Sequence, residues 1–274
     1  YANEHTDQFF RMPKGSVTGK SFREIFPAQV ADEQEKTMIS VVTSKSPVTV
    51  ERSMMMHGQM NYFKATHQPL LDDKGEVRSI LVIGQNITSQ VQHEKLLKIQ
   101  HQIDSLSNLT TSLTLSLKKA FSYLLEIDWI DVGGIYLFDK DRKHLRLVYS
   151  EGLSETYLKA VSVYSDNDPQ TKLVLKKKSK FANTRTFLKP VNEIMRKERL
   201  TFVVAIPLVY KKEVIGSLNV GSKSVEEVSP HDKYIIESIA SRLANLIILV
   251  KTRDELIASN LRLSRSVQEI SEQQ

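Results

Sequence analysis

From Ile87 to Asp131 the chain contains neither proline nor glycine. Along that stretch aliphatic residues recur with alternating spacings of three and four: Leu96, Ile99, Ile103, Leu106, then Leu113 and Leu117. Thr110 and Ala120 fill the intervening positions. The pattern predicts one helix of about forty residues, roughly 60 Å long, which is more than one globular domain requires. Its apolar stripe is narrow, so the expected counterpart is a partner helix rather than a broad core. A second stripe closes the chain, with Leu249, Leu256, Leu263 and Ile270 seven residues apart and Leu246, Arg253, Asn260 and Val267 at the alternate position. The sequence ends inside this heptad pattern at Gln273 and Gln274 without a capping glycine, so the expected continuation is an output domain.

The long helix separates two blocks with different periods. In the first block, Gly19-Lys20-Ser21-Phe22 opens a short helix that Pro27 closes. A helix over Gln29–Ser44 follows, with Val30, Met38 and Val41/Val42 as its apolar positions. The period then shortens to two, with strands at Pro47–Met56, Asn61–Leu71 and Glu76–Ile83. His57-Gly58 and Asp72-Asp73-Lys74-Gly75 supply the turns. In the second block, Val132–Asp139 pairs with His144–Ser150, and Thr201–Tyr210 with Val214–Ser222 across Lys211-Lys212-Glu213. Short helices are expected over Pro169–Lys178 and Val191–Lys197 and just after Gly152-Leu153-Ser154. Pro230-His231-Asp232 begins the last helix. Ile135–Phe138 and Phe202–Val209 are apolar on both faces, which implies a sheet covered on both sides. The fold class is therefore α+β: two domains, each an antiparallel sheet flanked by helices, joined by a long helix and followed by a C-terminal coiled-coil helix.

Composition narrows the chemistry. There is no cysteine among the 274 residues, which excludes disulfides, thiolate metal sites, cysteine nucleophiles and thiol-linked cofactors. No uninterrupted apolar run is longer than Leu246 to Val250, far short of the ~20 residues that span a bilayer. Tyr1–Arg11 lacks a signal-peptide pattern, so the expected location is cytoplasmic. The net charge is +6, and residues 1–90 contribute none of it. Lys176, Lys177, Lys178 and Lys180 form the densest basic cluster. With no interleaved aromatics or nucleic-acid motif nearby, they read as a solvated helix end rather than a nucleic-acid site.

Two stretches resemble known sensory families. Tyr1-Ala2-Asn3, Gly19-Lys20-Ser21-Phe22, Ile25-Phe26-Pro27, the strand Tyr62–Thr66 leading to Pro69-Leu70, and Asp72-Asp73-Lys74-Gly75 together resemble a PAS domain over residues 1–88. The family usually closes with Asp-Ile-Thr, and here the triplet is Asn86-Ile87-Thr88. The amide retains a helix-capping acceptor but not the charge for a salt bridge. The first strand of a PAS sheet is expected upstream of Tyr1. Gly134-Ile135-Tyr136-Leu137-Phe138-Asp139, Glu151-Gly152-Leu153-Ser154, Ile206-Pro207-Leu208 and Val214-Ile215-Gly216-Ser217-Leu218-Asn219-Val220 resemble a GAF domain over residues 109–250. Residues 89–108 would be the linker helix and 251–274 the coiled-coil output helix. The order is similar to the sensory regions of prokaryotic sensor histidine kinases, archaeal ones among them.

The resemblance implies a sensory and dimerisation module without catalysis of its own, and the residues agree. No paired acid–base or nucleophile constellation is present. His93-Glu94 lacks the proline of a kinase phospho-acceptor box, and no two histidines have the i,i+4 spacing of a helical metal site. The ligand-pocket candidates are Met54, Met56 and His67 in the first domain and Tyr136, Phe138 and Tyr149 in the second. Met54, Met55, Met56 and Met60 can equally be core filler or an oxidation-sensitive wall, and packing alone also accounts for the three aromatics. The signal-transmission and dimer seam is expected at Asn86, Thr88, Leu96, Ile99, Ile103, Leu106, Leu246, Leu249, Leu256, Asn260, Leu263 and Ile270. The expected partners are a second copy in parallel, a missing C-terminal output domain and an unidentified small molecule, with no nucleic acid and no membrane span in this fragment. The cofactor is unknown, and a thiol-linked chromophore or haem is excluded. The output read first is a histidine kinase. A diguanylate cyclase or a transcription activator fits the same helix, and a nucleic-acid-binding regulator is a further alternative.

Overall fold

Each of the two strand-rich blocks builds its own antiparallel sheet. A computed structural model describes residues 3–9, 12–56, 59–108, 112–188 and 191–272. The expectations at Tyr1, Ala2, His57, Gly58 and Thr110 lie outside the described residues, as do those for the side chains of Met55, Met56, Val267 and Ile270. The chain divides into two compact units, Tyr1–Glu94 and Lys95–Gln274.

The first unit opens with helices α1 (Glu4–Phe9), α2 (Phe22–Ile25) and α3 (Ala28–Ser44). Ser21 starts α2 through a capping box with Glu24, whose carboxylate accepts from the Ser21 backbone N–H at 2.8 Å. Strands β1 (Val48–Met56), β2 (Gln59–Leu71) and β3 (Val77–Asn86) follow as a meander in the order β1-β2-β3. The β2–β3 turn forms because the Asp72 carboxylate accepts from the backbone N–H of Lys74 and of Glu76, each at 2.9 Å. Gly75 then takes φ +77°, a conformation other residues rarely adopt. The buried stripe of α3 differs from the aliphatic one. It consists of Ala31, Gln34, Thr37 and Val41, while Val42 is exposed.

Helix α4 (Thr88–Ser105) leaves β3. The Asn86 side chain accepts from the Thr88 backbone N–H at 3.0 Å, an Asx turn that directs the chain into the helix. Thr88 Oγ1 in turn accepts from the Tyr62 backbone N–H at 2.9 Å and fixes the helix start to β2. The forty-residue helix does not form. A 3-10 turn at Leu106–Asn108 ends α4, and Ser112 caps a new helix, α5 (Leu113–Leu124), by accepting from the Leu115 N–H. A hydroxyl that caps the following turn restarts the chain without proline or glycine.

The second unit holds a six-stranded antiparallel sheet in the order β6-β5-β4-β9-β8-β7. Its strands are β4 (Val132–Phe138), β5 (His144–Glu151), β6 (Val163–Ser165), β7 (Lys180–Asn183), β8 (Phe202–Tyr210) and β9 (Glu213–Ser222). The edge strands β6 and β7 were not expected, since three or four residues are too few to show a period. Lys211 and Lys212 both adopt positive φ between β8 and β9, the backbone that a tight hairpin demands. Gly216 is required because a Cβ there would lie 2.0 Å from the Tyr136 carbonyl oxygen on the adjacent strand.

Helix α9 (Pro230–Glu272) runs 43 residues. Ser229 accepts from the Asp232 N–H at 3.1 Å and Asp232 accepts from the Ser229 N–H at 3.2 Å, a reciprocal cap. One face of the sheet packs on α5 and α9, and its buried cluster includes Phe121, Ile206, Leu218, Ile236, Ile239 and Leu243.

The same cluster takes in Leu96, Ile99, Ile103, Leu106 and Leu246. These residues were expected on a seam between two chains, but they are buried within one chain. Gln100 Nε2 donates to Ser238 Oγ at 2.6 Å, and Arg242 pairs with Asp104 at 3.0 Å. Both contacts join residues 138 apart in sequence, so α4 and α9 run parallel in a constant register. The narrow stripe does have a helical partner, and that partner belongs to the same chain.

Candidate ligand site

The other face of the second sheet is covered by three helices of seven residues each: α6 (Glu155–Val161), α7 (Pro169–Leu175) and α8 (Val191–Lys197). Between them and the sheet lies a cavity of about 750 Å³, within the usual range for small-molecule sites. Its floor comes from β4, β8 and β9, including Tyr136, Ala205 and Asn219, and its roof includes Tyr157, Leu173 and Ile194.

Side-chain hydrogen bonds tie the roof down. Ser154 caps α6 by accepting from the Tyr157 N–H at 3.2 Å. The Glu198 carboxylate, just past α8, accepts from the Ser154 N–H at 2.9 Å and from its hydroxyl at 2.5 Å. Gln170 Nε2 on α7 donates to Asn219 Oδ1 on the floor at 3.4 Å. No residue of α6 is buried. α7 by contrast buries Thr171 and Val174, so α6 is the part of the roof that opens at lowest cost.

Three tyrosines meet at one end. The Tyr136 and Tyr164 rings lie 5.6 Å apart. Burial raises Tyr136, Tyr157 and Tyr164 above the ordinary phenol range, Tyr164 to about 12 with Asp168 adding to the rise. All three are neutral near pH 7. Asn219 Oδ1 is held by the Ser217 hydroxyl at 2.7 Å as well as by Gln170, which leaves the Asn219 Nδ2 protons for a ligand. Charge is confined to Asp168, Lys172, Lys176 and Lys180. Lys180 Nζ rests 4.8 Å from the centre of the Phe187 ring, and Asp168 is occupied by the backbone N–H and hydroxyl of Ser165.

Of the three aromatic candidates, only Tyr136 lines the cavity. Tyr149 packs on the opposite face, 5.7 Å from the Phe121 ring, and donates to Glu151 at 2.5 Å. Phe138 sits below Arg142, whose guanidinium is 5.3 Å from its ring centre. A bulge at Val148, opposite Ile135 and Tyr136, breaks simple alternation along β5 and turns Tyr149 to the other face. Asn219, Tyr157 and Tyr164 were not singled out. Asn219 had a readable signal, an amide inside the apolar run Val214–Val220.

In the first unit, His67 is completely buried and Met54 half-buried, while Met60 is exposed. His144 Nδ1 pairs with Asp139 at 2.9 Å. Among the described residues no group of histidines and carboxylates could hold a metal ion, and no helix is long and apolar enough to cross a membrane. Along α9 beyond the core, Leu249, Leu256 and Leu263 are 52%, 60% and 65% exposed, and Asn260 is exposed among them.

The family model for the GAF domain matches residues 110–247, half of the chain. The chain belongs to the GAF family. A second model, for the PAS fold, matches residues 1–92, so the chain is a PAS–GAF tandem, and PAS and GAF domains make it a sensory signalling module. No curated protein sequence matches it significantly. Among solved structures it is similar to the GAF domain of a phosphoenolpyruvate-protein phosphotransferase from Coxiella burnetii, at 17% identity and TM-score 0.49, covering 59% of this chain and 98% of that one. The corresponding Acinetobacter domain gives 19% identity and TM-score 0.46, covering 59% and 95%. A free methionine-R-sulfoxide reductase from Neisseria meningitidis, solved with its substrate, gives 17% identity and TM-score 0.48, covering 58% and 91%.

Proposed function

We propose that the GAF cavity binds a small, largely apolar molecule non-covalently and that α9 carries the consequence to an output domain, with two chains in parallel as the working unit. One observation carries the reading: the floor of the cavity and the bed of α9 are two faces of the same strands. On β8, Ala205 lines the cavity while Ile206 packs in the α9 core, and on β9 Asn219 lines it while Leu218 packs in that core. A ligand that shifts these strands shifts the helix.

The ligand presents an apolar body to Leu173, Ile194 and Ala205 and an acceptor to Asn219 Nδ2. The exit helix presents Leu249, Leu256 and Leu263 to a second copy, with Asn260 setting register. The fragment itself is non-catalytic. The output read first is a histidine kinase, and a diguanylate cyclase or transcription activator would use the same helix. Coupling between such sites is typically about 1–3 kcal/mol, comparable to burying one leucine, so a seam interrupted by Arg253 and Asn260 is weak enough to be shifted.

Native mass spectrometry of the purified protein tests both parts at once. The expected result is a dimer in which each chain carries a bound small molecule that is lost on denaturation. Ala160→Trp, which places a large ring at the exposed edge of the cavity, is expected to abolish the bound mass and leave the dimer intact. An empty monomer would exclude the reading.

A further inference from the structure

The first unit holds a buried polar network that the GAF cavity does not involve. It lies between α3 and the sheet. Arg52 on β1 donates through one guanidinium nitrogen to Gln34 Oε1 and through another to the Glu33 carbonyl at 2.9 Å and to Thr37 Oγ1. Gln34 Nε2 meets His67 Nε2 at 2.7 Å. His67 Nδ1 faces the carbonyl of Val48, its register partner on β1, at 3.3 Å. His67 is 0% exposed, Gln34 8% and Thr37 7%.

The chemistry of the groups fixes every proton in this chain. A guanidinium only donates, so the Gln34 atom facing Arg52 must be the oxygen. The amide NH₂ therefore faces the imidazole and donates, and His67 Nε2 must accept. Its one proton is then on Nδ1 and goes to Val48. A single tautomer of a neutral ring completes the path from Arg52 to Val48.

An imidazolium cannot enter the same arrangement. Protonating Nε2 sets an N–H donor against the Gln34 NH₂. Turning the amide over relieves that clash but sets NH₂ against the guanidinium, so neither orientation satisfies both neighbours. The Arg52 charge opposes a second cation as well. The groups facing the ring from the packed elements are Gln34 on α3, Arg52 and the Val48 carbonyl on β1, and Val82 in register on β3. Among the described residues, the carboxylate that pairs with this network is Glu33, 3.5 Å from Arg52 Nε. Burial first and the Arg52 charge second hold the imidazole below its ordinary range, against the opposing effect of the Val48 and Ala65 backbone.

We propose that His67, Gln34 and Arg52 form a proton-sensitive latch that fastens α3 to the PAS sheet near neutral pH and releases it on acidification. Imidazole is the one group in the network whose charge changes between about pH 5 and 8. The direction follows from linkage. Above about pH 6.5 the ring is neutral whether the latch is closed or open. Below that value the open form takes up a proton that the closed form refuses, so the closed-to-open ratio falls about tenfold per pH unit until the closed form itself titrates. The latch belongs to the PAS unit and stands whether or not the GAF cavity is filled.

Hydrogen exchange of the full chain from pH 5 to 7.5, corrected for intrinsic exchange, tests it. Protection of the α3 segment 28–44 is expected to fall about tenfold per pH unit below about pH 6.5, while the β8–β9 segments of the same molecule stay constant. In His67→Gln, whose side chain can accept from Gln34 and donate to Val48 without titrating, α3 protection is expected to be flat. A flat profile in the wild type, or an equal slope in the variant, overturns the proposal. Imidazole nitrogen NMR of the wild type decides the matter even if the variant fails to fold. The Nδ1–H tautomer is expected at pH 7, and an Nε2–H tautomer or an ordinary titration near pH 6.5 overturns the latch.

Discussion

Gly216 and His67 mark the two limits of what a single residue reveals before its neighbours are known. Gly216 stands in an apolar strand with nothing local to explain it. Its reason is the Tyr136 carbonyl of β4, which a Cβ would approach to 2.0 Å. Gly216→Ala must push β4 and β9 apart, and overpacking of this kind costs about 3 kcal/mol. The expected result is a lower urea midpoint for the GAF unit with an unchanged denaturant slope. An unchanged midpoint would show that the strands yield freely. His67 was read as a ligand-pocket candidate, but it is a fully buried histidine engaged by Gln34 and Val48, and those partners were not legible. Gln34 and Thr37 are polar residues at core positions of α3, and a hydrophobic pattern registers such residues as surface. The same blindness explains why Val30, Met38 and Val42 stood in for the true stripe. Among the aromatic candidates, Tyr136 was identifiable, Phe138 shares its face by alternation but lies beyond the cavity lining, and Tyr149 is turned to the other face by the extra residue Val148 on β5, which no alternation reveals.

Elements were easier to read than their partners. The three-stranded meander, the two hairpins of the second sheet and the final helix all follow from period and turn chemistry. The stripe Leu96–Leu106 correctly announced a partner helix, but a stripe carries no information on whether that partner is in the same chain. Here the pairing is internal, with α4 and α9 parallel and Gln100 on Ser238. This gives Ile103, fully buried in that core, a specific role. Ile103→Ala is expected to destabilise the GAF unit by about 3 kcal/mol through the lost burial and the cavity left behind. Chemical denaturation followed by Trp129 fluorescence measures it, since Trp129 is buried in the same cluster. Were Ile103 on a seam between chains, the loss would vary with protein concentration. The helix break at Ser112 escaped the pattern because a capping hydroxyl is indistinguishable in sequence from a serine on a helix surface until the backbone has turned.

At the scale of the molecule, the two stripes that look alike in sequence have opposite fates. The first ends in the GAF core. The second leaves it after Val250, the last residue of that core, and continues as helix to Glu272 with its leucines exposed. Burying Leu256 and Leu263 against a second copy would contribute about 1.5–3 kcal/mol per side chain, and Asn260 between them subtracts from that while holding register. Self-association should therefore depend on these leucines, and folding of the GAF unit should not. Leu256→Glu combined with Leu263→Glu is expected to convert a dimer into a monomer by light scattering at about 100 μM, because like charges would face each other along the seam. The thermal unfolding of the second unit should stay within about 0.5 kcal/mol of the wild type, as for other exposed substitutions remote from a core. If the double variant remained dimeric, the interface would lie elsewhere on the chain. If it unfolded with the GAF core, the exit helix would belong to that core, and the distinction between the two stripes would fail.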